Sequence, residues 1–133
     1  MLLLDEVVGY DDASLVAGVT ITQSSLFVGS HGVPGHVAIE YMAQACGAYA
    51  GALALDRGLP VKSGFLLGTR MCRAMVPWFR IGDRLLVSAS LVFHDEPMAV
   101  FDCKIEIDGQ LVAETQLKVF QPDNDLSRID EIE

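Results

Sequence analysis

Positive charge is scarce in this sequence of 133 residues. Nine lysines and arginines stand against 18 aspartates and glutamates, so the formal net charge at pH 7 is −9. A surface this acidic repels polyanions, which argues against nucleic acid or an anionic membrane as the main partner. Apolar residues make up 51% of the chain, enough to fill one core in a chain of single-domain length.

Cysteine is also rare. Cys46, Cys72 and Cys103 are odd in number and lack the spacing of a metal site. Each lies in an apolar run, as free cysteines commonly do. We therefore expect three buried, reduced thiols in a cytoplasmic protein, and no metal.

Long uncharged apolar runs are missing. Residues 1–4 are apolar, but Asp5 and Glu6 follow at once, which is not the pattern of a signal peptide. The longest apolar stretch, 37–55, carries Glu40 and Gln44, and a carboxylate in a membrane span costs roughly 2.5–3.5 kcal/mol on insertion scales. The stretch therefore predicts a helix buried in a soluble core.

The chain carries one strong helix signal and several strand signals. Apolar segments at 2–10 and 14–22 predict two strands, and a loop rich in glycine follows at 23–34. Pro34 and Gly35 precede a helix at about 37–57, and Gly58 supplies its C-terminal stop. Small residues, mostly alanine and glycine, keep the surface of this helix thin.

The second half alternates apolar and polar residues. The alternation predicts strands at 84–93, 101–107 and 111–120, with a tight hairpin at Asp108-Gly109. We predict an α+β fold in which a long antiparallel meander, with the two earlier strands, wraps around the central helix. The domain is assigned to residues 1–122, and 123–133 is predicted to be a polar tail.

The segment GSHGVPGHVAIEYMAQ, residues 29–44, holds the candidate chemistry. Gly35 lies at the helix start, where free N–H groups and the helix dipole favour an oxyanion such as a thioester enolate. Glu40 lies one turn later on a helix otherwise nearly free of charge, which suits a general acid. His31, in the adjoining loop, is the natural base. Gln44 follows one turn after Glu40 and either bonds to it or acts as a structural amide.

VPGHVAIEYMAQ resembles the stretch of the FabZ/FabA-type 3-hydroxyacyl-acyl-carrier-protein dehydratases that reads approximately MPGVLIVEAMAQ. LLLDEV and DGQLVAETQL resemble the first strand and the final hairpin of that family. GFLLGTR, VPWF and FDCKI are closer still to the short dehydratase-like proteins of aryl-polyene biosynthesis. The resemblance covers almost the whole chain and implies the hotdog fold.

The resemblance also implies roles for individual residues. Glu40 falls on the catalytic acid, Gly35 on the glycine whose N–H polarises the thioester carbonyl, and His31 near the catalytic base. Val33, Gln44 and His36 are assigned to substrate binding. In that family the His of one subunit works with the acid of the other, so a homodimer or a dimer of dimers is implied. The implied substrate is a 3-hydroxyacyl thioester of acyl carrier protein or coenzyme A, and no cofactor is implied.

The sequence departs from the family pattern around the base. About 14 residues separate His and acid in the family, whereas nine separate His31 from Glu40, and the His-Phe-Pro-Gly signature is absent. His36, four residues before Glu40 on the same helix face, is the alternative base. We favour His31 because His36 occupies a motif position that Val usually fills.

Most of the basic residues fall in one stretch of the chain, at Arg57, Lys62, Arg70, Arg73, Arg80 and Arg84, where Asp83 is the only acid. Such a cluster suits an acidic carrier protein despite the overall negative charge, although a solvated loop and strand face explains any single arginine somewhat better. Trp78 and Phe79 lie in the same stretch and are expected to fill core rather than line an acyl tunnel.

Three functions remain open at this level. The first is dehydration of a 3-hydroxyacyl thioester. The second is a hotdog thioesterase, in which a carboxylate activates water without a histidine. The third is a subunit that binds acyl chains or carrier protein without catalysis.

Overall fold

The structure is a computed structural model of the chain. It describes residues 3–59, 65–95 and 97–120, with the backbone alone at 65–67 and 69–71. The predicted tail at 123–133 lies outside the described residues. The described strands and helices are β1 (Glu6–Tyr10), β2 (Ser14–Thr20), β3 (Val33–Pro34), a 3₁₀ turn (Gly35–Val37), α1 (Ala38–Asp56), β4 (Phe65–Ala74), β5 (Trp78–Phe79), β6 (Arg84–Asp95), β7 (Met98–Ile107) and β8 (Gln110–Phe120).

One antiparallel sheet of six strands, in the order β1-β2-β6-β7-β8-β4, dominates the fold. The strands β6, β7 and β8 form the predicted meander. The strand β4 was not predicted as a separate strand, and it pairs with β8 at the far edge instead of with its sequence neighbours. A second, two-stranded sheet joins β3 to β5.

Local chemistry fixes the first and the last hairpin along the chain. Asp108 and Gly109 have φ values of 51° and 78°, as the predicted two-residue turn requires. In the β1–β2 hairpin, the Asp11 carboxylate accepts hydrogen bonds from the N–H groups of Ala13 and Ser14, both at 2.8 Å. These bonds lower the pKa of Asp11. The position of each turn sets the register of the strands that follow.

The central helix begins and ends where the sequence predicts. Gly58, with a φ of 67°, terminates it, and the Leu59 N–H donates to the Ala54 carbonyl at 2.8 Å. The helix α1 packs against β2, β6 and β7. The core holds Tyr41 and Met42 of the helix beneath the inward-facing residues of the sheet. Within the described part of the chain, no helix is long and apolar enough to cross a membrane.

The cysteines are only partly as predicted. Cys46 of α1 and Cys103 of β7 are buried, and their sulfur atoms lie 3.5 Å apart. Cys72 is exposed, which corrects the prediction that all three are buried. It lies in the edge strand β4, where one side of the strand has no sheet neighbour within the described chain.

Candidate active site

The start of the helix is held against β5 by one short contact. The Gly35 N–H donates a 2.8 Å hydrogen bond to the Pro77 carbonyl. A Cβ at Gly35 would lie 2.2 Å from the Val76 carbonyl oxygen, so only glycine permits this approach. In this protomer the Gly35 N–H is bonded to a protein carbonyl, so the observed hydrogen bonding does not support its predicted role as donor to a substrate.

Other amides at this helix start remain candidates for binding an oxyanion. Neither the 3₁₀ turn nor α1 has a side-chain cap, and the Ala38 N–H bonds to the Gly35 carbonyl. The His36 N–H lies between these two amides, in the turn whose first N–H groups have no helical partner. The residue His36 as a whole is exposed.

Glu40 projects from the exposed face of the helix. It lies in the first turn of α1, four residues after His36, and both side chains are exposed in the protomer. Gly47, seven residues after Glu40, is also exposed, and a Cβ built there meets no atom within 4 Å. The apolar surroundings expected for the acid are therefore not supplied by this chain alone.

His31 lies in the loop before β3. Its imidazole packs against the indole of Trp78, with ring centroids 5.1 Å apart and planes inclined at 47°. Gly32, with a φ of 109°, brings this loop close to β5, since a Cβ there would lie 2.2 Å from the Phe79 carbonyl oxygen. Across the described residues, no hydrogen bond joins His31 to Glu40.

Two residues assigned to substrate binding have contacts within the protomer. The Gln44 side-chain oxygen accepts a 2.7 Å hydrogen bond from the Leu3 N–H, so this amide ties the N-terminal segment to the helix. Val33 is fully buried in the hydrophobic core, so its side chain presents no surface in this protomer, and its assignment to substrate binding stays a prediction. It pairs with Phe79 across β3 and β5.

Trp78 and Phe79, which follow Pro77, lie in different environments. Phe79 is fully buried and meets Tyr41 edge to face at 6.1 Å, as the prediction of a core residue requires. Trp78 is half-buried and lies against His31, a contact that the sequence did not indicate. The short pairing of β3 with β5 creates this contact, and a two-residue strand leaves no periodic pattern to predict it from.

Two arginines of the predicted basic cluster are paired with acidic residues in the fold. Arg73 forms a salt bridge with Glu114, and Arg84 forms one with Glu6. Lys62 and the side chain of Arg70 lie outside the described residues. In the part of the chain that the structure describes, the guanidinium of Arg80 has no salt-bridge partner.

Comparison with known proteins identifies the family. A family model described as "ApeP-like: ApeP dehydratase" matches residues 1–131. The chain is 24% identical over 130 residues to a 3-hydroxyacyl-[acyl-carrier-protein] dehydratase FabZ of Psychrobacter arcticus, covering 89% of this chain and 84% of the relative. It is 29% identical over 118 residues to the FabZ of Streptococcus pneumoniae serotype 4, covering 85% and 81%.

Solved structures agree in fold. The dehydratase heterocomplex ApeI:P from Xenorhabdus doucetiae contains a chain with a TM-score of 0.86 and 32% identity, covering 98% of this chain and 89% of that one. A hypothetical thioesterase with coenzyme A from Streptococcus pneumoniae has a TM-score of 0.70 at 17% identity, covering 87% and 84%. This second likeness shows the fold alone.

These findings confirm the predicted hotdog fold and the predicted dehydration of a 3-hydroxyacyl thioester, and they favour dehydration over thioester hydrolysis. The match to residues 1–131 extends into the segment predicted to be a tail. The chain belongs to the family of ApeP-like dehydratases.

Proposed function

We propose that Glu40 and a histidine carry out the dehydration by general acid–base catalysis. The observation that supports this assignment is the exposed Glu40 carboxyl, one turn into a helix whose start has no side-chain cap. His31 removes the proton at C2 of the 3-hydroxyacyl thioester. The electrons of that C–H bond form the double bond as the C3–O bond breaks, and Glu40 gives its proton to the departing hydroxyl, which leaves as water.

The charge that develops on the thioester oxygen needs a donor other than Gly35. The Gly35 N–H is bonded to Pro77, whereas the His36 N–H lies beside it at the same helix start. We assign the His36 N–H as the donor that stabilises the enolate-like oxygen. The positive end of the helix dipole adds to this stabilisation.

The active site requires a second chain. No hydrogen bond or ion pair joins His31 to Glu40 among the described residues, and the helix face that carries Glu40 and Gly47 is open to solvent. A second copy placed on this face brings the partner subunit's His31 to Glu40 and removes the acid from water. The Xenorhabdus relative assembles as a heterocomplex, so a different dehydratase chain is the alternative second subunit.

Acyl carrier protein is the proposed carrier of the substrate. The FabZ relatives are named for acyl-carrier-protein substrates. An acidic carrier requires local positive charge on a chain of net charge −9, and Arg80, which has no salt-bridge partner among the described residues, provides a cation close to His31. We propose a cytoplasmic location, which the carrier-bound substrates named for the FabZ relatives support.

The test is the substitution Glu40→Gln, which removes the acid but keeps its shape. Wild-type protein is mixed with a 3-hydroxyacyl thioester, and enoyl thioester and free thiol are measured in the same reaction. We expect enoyl product from the wild type and a loss of about 10²–10⁴ in kcat for the variant. Glu106→Gln, which removes a surface carboxylate paired with Lys104, is the matched control and should keep full activity.

The same assay separates the other functions. Free thiol without enoyl product would identify a thioesterase, and neither product would identify a non-catalytic subunit. Full activity of Glu40→Gln in an assembled, folded protein would overturn the assignment of the acid.

A further inference from the structure

A cleft of about 400 Å³ lies beside the proposed base. Its walls come from two loops, with Ser30, His31 and Gly32 on one side and Trp78, Arg80 and Ile81 on the other. The pairing of β3 with β5 brings these loops together, and Gly32 allows them to approach closely. A cleft of this volume is large enough for part of a small-molecule ligand.

Arg80 gives the cleft an available positive charge. Its side chain is exposed, and it forms no salt bridge in the portion of the protein that is described, unlike Arg73 and Arg84. The neighbouring Asp83 carboxylate accepts a 2.8 Å hydrogen bond from the Arg80 backbone N–H. In a chain of net charge −9, an unpaired guanidinium in a cleft suits an anionic ligand group.

The other walls of the cleft show what must accompany the anion. The half-buried Trp78 and the 52% exposed Ile81 present apolar surface, and Ser30 adds a hydroxyl. A ligand with methyl groups, polar oxygens and one phosphate matches this combination. An acyl tail matches it poorly, because the tail would strip water from Arg80 without supplying a partner for the charge.

We propose that this cleft binds the pantetheine arm of the thioester substrate, with the phosphate of the arm on Arg80 and its methyl groups against Trp78 and Ile81. The inference rests on the proposed function, because it places the arm beside His31. Acyl carrier protein and coenzyme A both carry this phosphate, and Arg80 therefore recognises a group that the two carriers share.

The experiment uses the full-length protein and a series of thioesters that share one 3-hydroxyacyl group. The thiols that carry this acyl group are N-acetylcysteamine, pantetheine, phosphopantetheine, coenzyme A and holo acyl carrier protein. For Arg80→Ala we expect KM to rise about 10- to 100-fold on the three phosphate-bearing substrates, as for loss of a charge-assisted hydrogen bond. KM should change by less than about twofold on the two substrates without phosphate, and kcat should be unchanged on all five.

Lys104→Ala is the control, because it removes one positive charge outside the cleft. It should leave KM unchanged on every substrate. A KM increase for Arg80→Ala that is equal with and without phosphate would overturn the inference, as would no increase on any substrate. Wild-type kcat/KM on the coenzyme A and carrier-protein substrates identifies which source of the phosphate the enzyme prefers.

Direct binding separates this inference from the catalytic proposal. Calorimetry with phosphopantetheine and with pantetheine measures binding to wild type and Arg80→Ala without turnover. Tighter binding of phosphopantetheine to wild type, lost in the variant, supports the cleft assignment even if Glu40→Gln stays active. Equal binding of both probes to wild type contradicts it even if Glu40→Gln is inactive.

Discussion

The amide of Gly35 donates a 2.8 Å hydrogen bond to the carbonyl oxygen of Pro77. This bond holds the helix start beside β5, and it engages the N–H that sequence similarity assigned to the thioester oxygen. The Pro-Gly pair of the motif therefore helps to position the helix. In the proposed mechanism the amide that follows, at His36, meets the substrate instead.

Gly35→Ala should destabilise the fold. The added Cβ would lie 2.2 Å from the Val76 carbonyl oxygen, a backbone atom that cannot move aside without separating β3 from β5. We expect the free energy of unfolding to fall by about 1–3 kcal/mol, measured by urea unfolding. A variant as stable as wild type would show that the helix start is not packed against β5.

His36→Pro tests the proposed backbone donor. Proline is tolerated in the first turn of a helix and lacks the N–H, whereas His36→Ala keeps the N–H and removes only the imidazole. We expect kcat to fall about 10²–10³-fold in His36→Pro, as for loss of an oxyanion donor. Circular dichroism and sedimentation confirm that the variant is folded and assembled, since proline also restrains the preceding residue. Equal activity of the two variants would exclude the amide.

The identity of the base is tested by separate alanine substitutions of His31 and His36. Because His31 lines the cleft beside Trp78, we expect His31→Ala to lower kcat about 10²–10⁴-fold. His36→Ala should retain most activity. The reverse result would move the role of base to His36 and leave Glu40 as the acid.

Gly47→Ala tests whether a second chain covers the helix. Within the protomer the new methyl group meets no atom within 4 Å, and alanine favours a helix over glycine by about 0.5–1 kcal/mol. An isolated protomer should therefore become more stable. We expect assembly to weaken about tenfold instead, because the methyl group overpacks the interface that the proposed site requires.

Sedimentation over a range of concentrations measures the dissociation constant of the assembly. Urea unfolding of dilute protein measures the stability of the protomer. A stabilised variant whose assembly is unchanged would place the interface on another surface.

Stability should decline at alkaline pH because of the thiol pair in the core. Contact with Cys103 and burial raise the pKa of Cys46 above its ordinary value of 9.0. The unfolded chain ionises this thiol near its ordinary pKa of 9.0, so the folded state binds the proton more tightly. The contribution is complete below that pH, and it is lost as the pH rises toward the folded-state pKa.

Urea unfolding at about pH 7.5 and about pH 9.5 measures how the free energy of unfolding changes with pH. The titration of one thiol limits this slope to about 1.4 kcal/mol per pH unit. Cys46→Ala should show a shallower decline. Burial and the charge of Asp5 also raise the pKa of Tyr41, whose ionisation adds a further loss only at higher pH. Identical slopes in wild type and Cys46→Ala would exclude the thiol as the cause.

Regular elements were predictable because each leaves a periodic pattern. The alternation in 101–107 and the Asp108-Gly109 turn predicted β7, the hairpin and β8, and the small residues between Gly35 and Gly58 predicted α1. The strands β3 and β5 have two residues each and therefore no period. The place of β4 at the far edge depends on pairing with a strand that follows it by some 40 residues, as in Arg73 with Glu114.

The sequence by itself determined the fold and the family, and it supplied the proposed acid, because patterning and the motif around Glu40 act locally along the chain. Only the tertiary structure decided which groups near the motif are free to act. Hydrogen bonds and burial between distant segments engage the Gly35 amide, the Gln44 side chain and Val33 in the protein interior. The pairing of β3 with β5 likewise brings Trp78 and Arg80 to His31. The sequence could not predict this, because a contact between such distant short strands leaves no pattern in residue spacing.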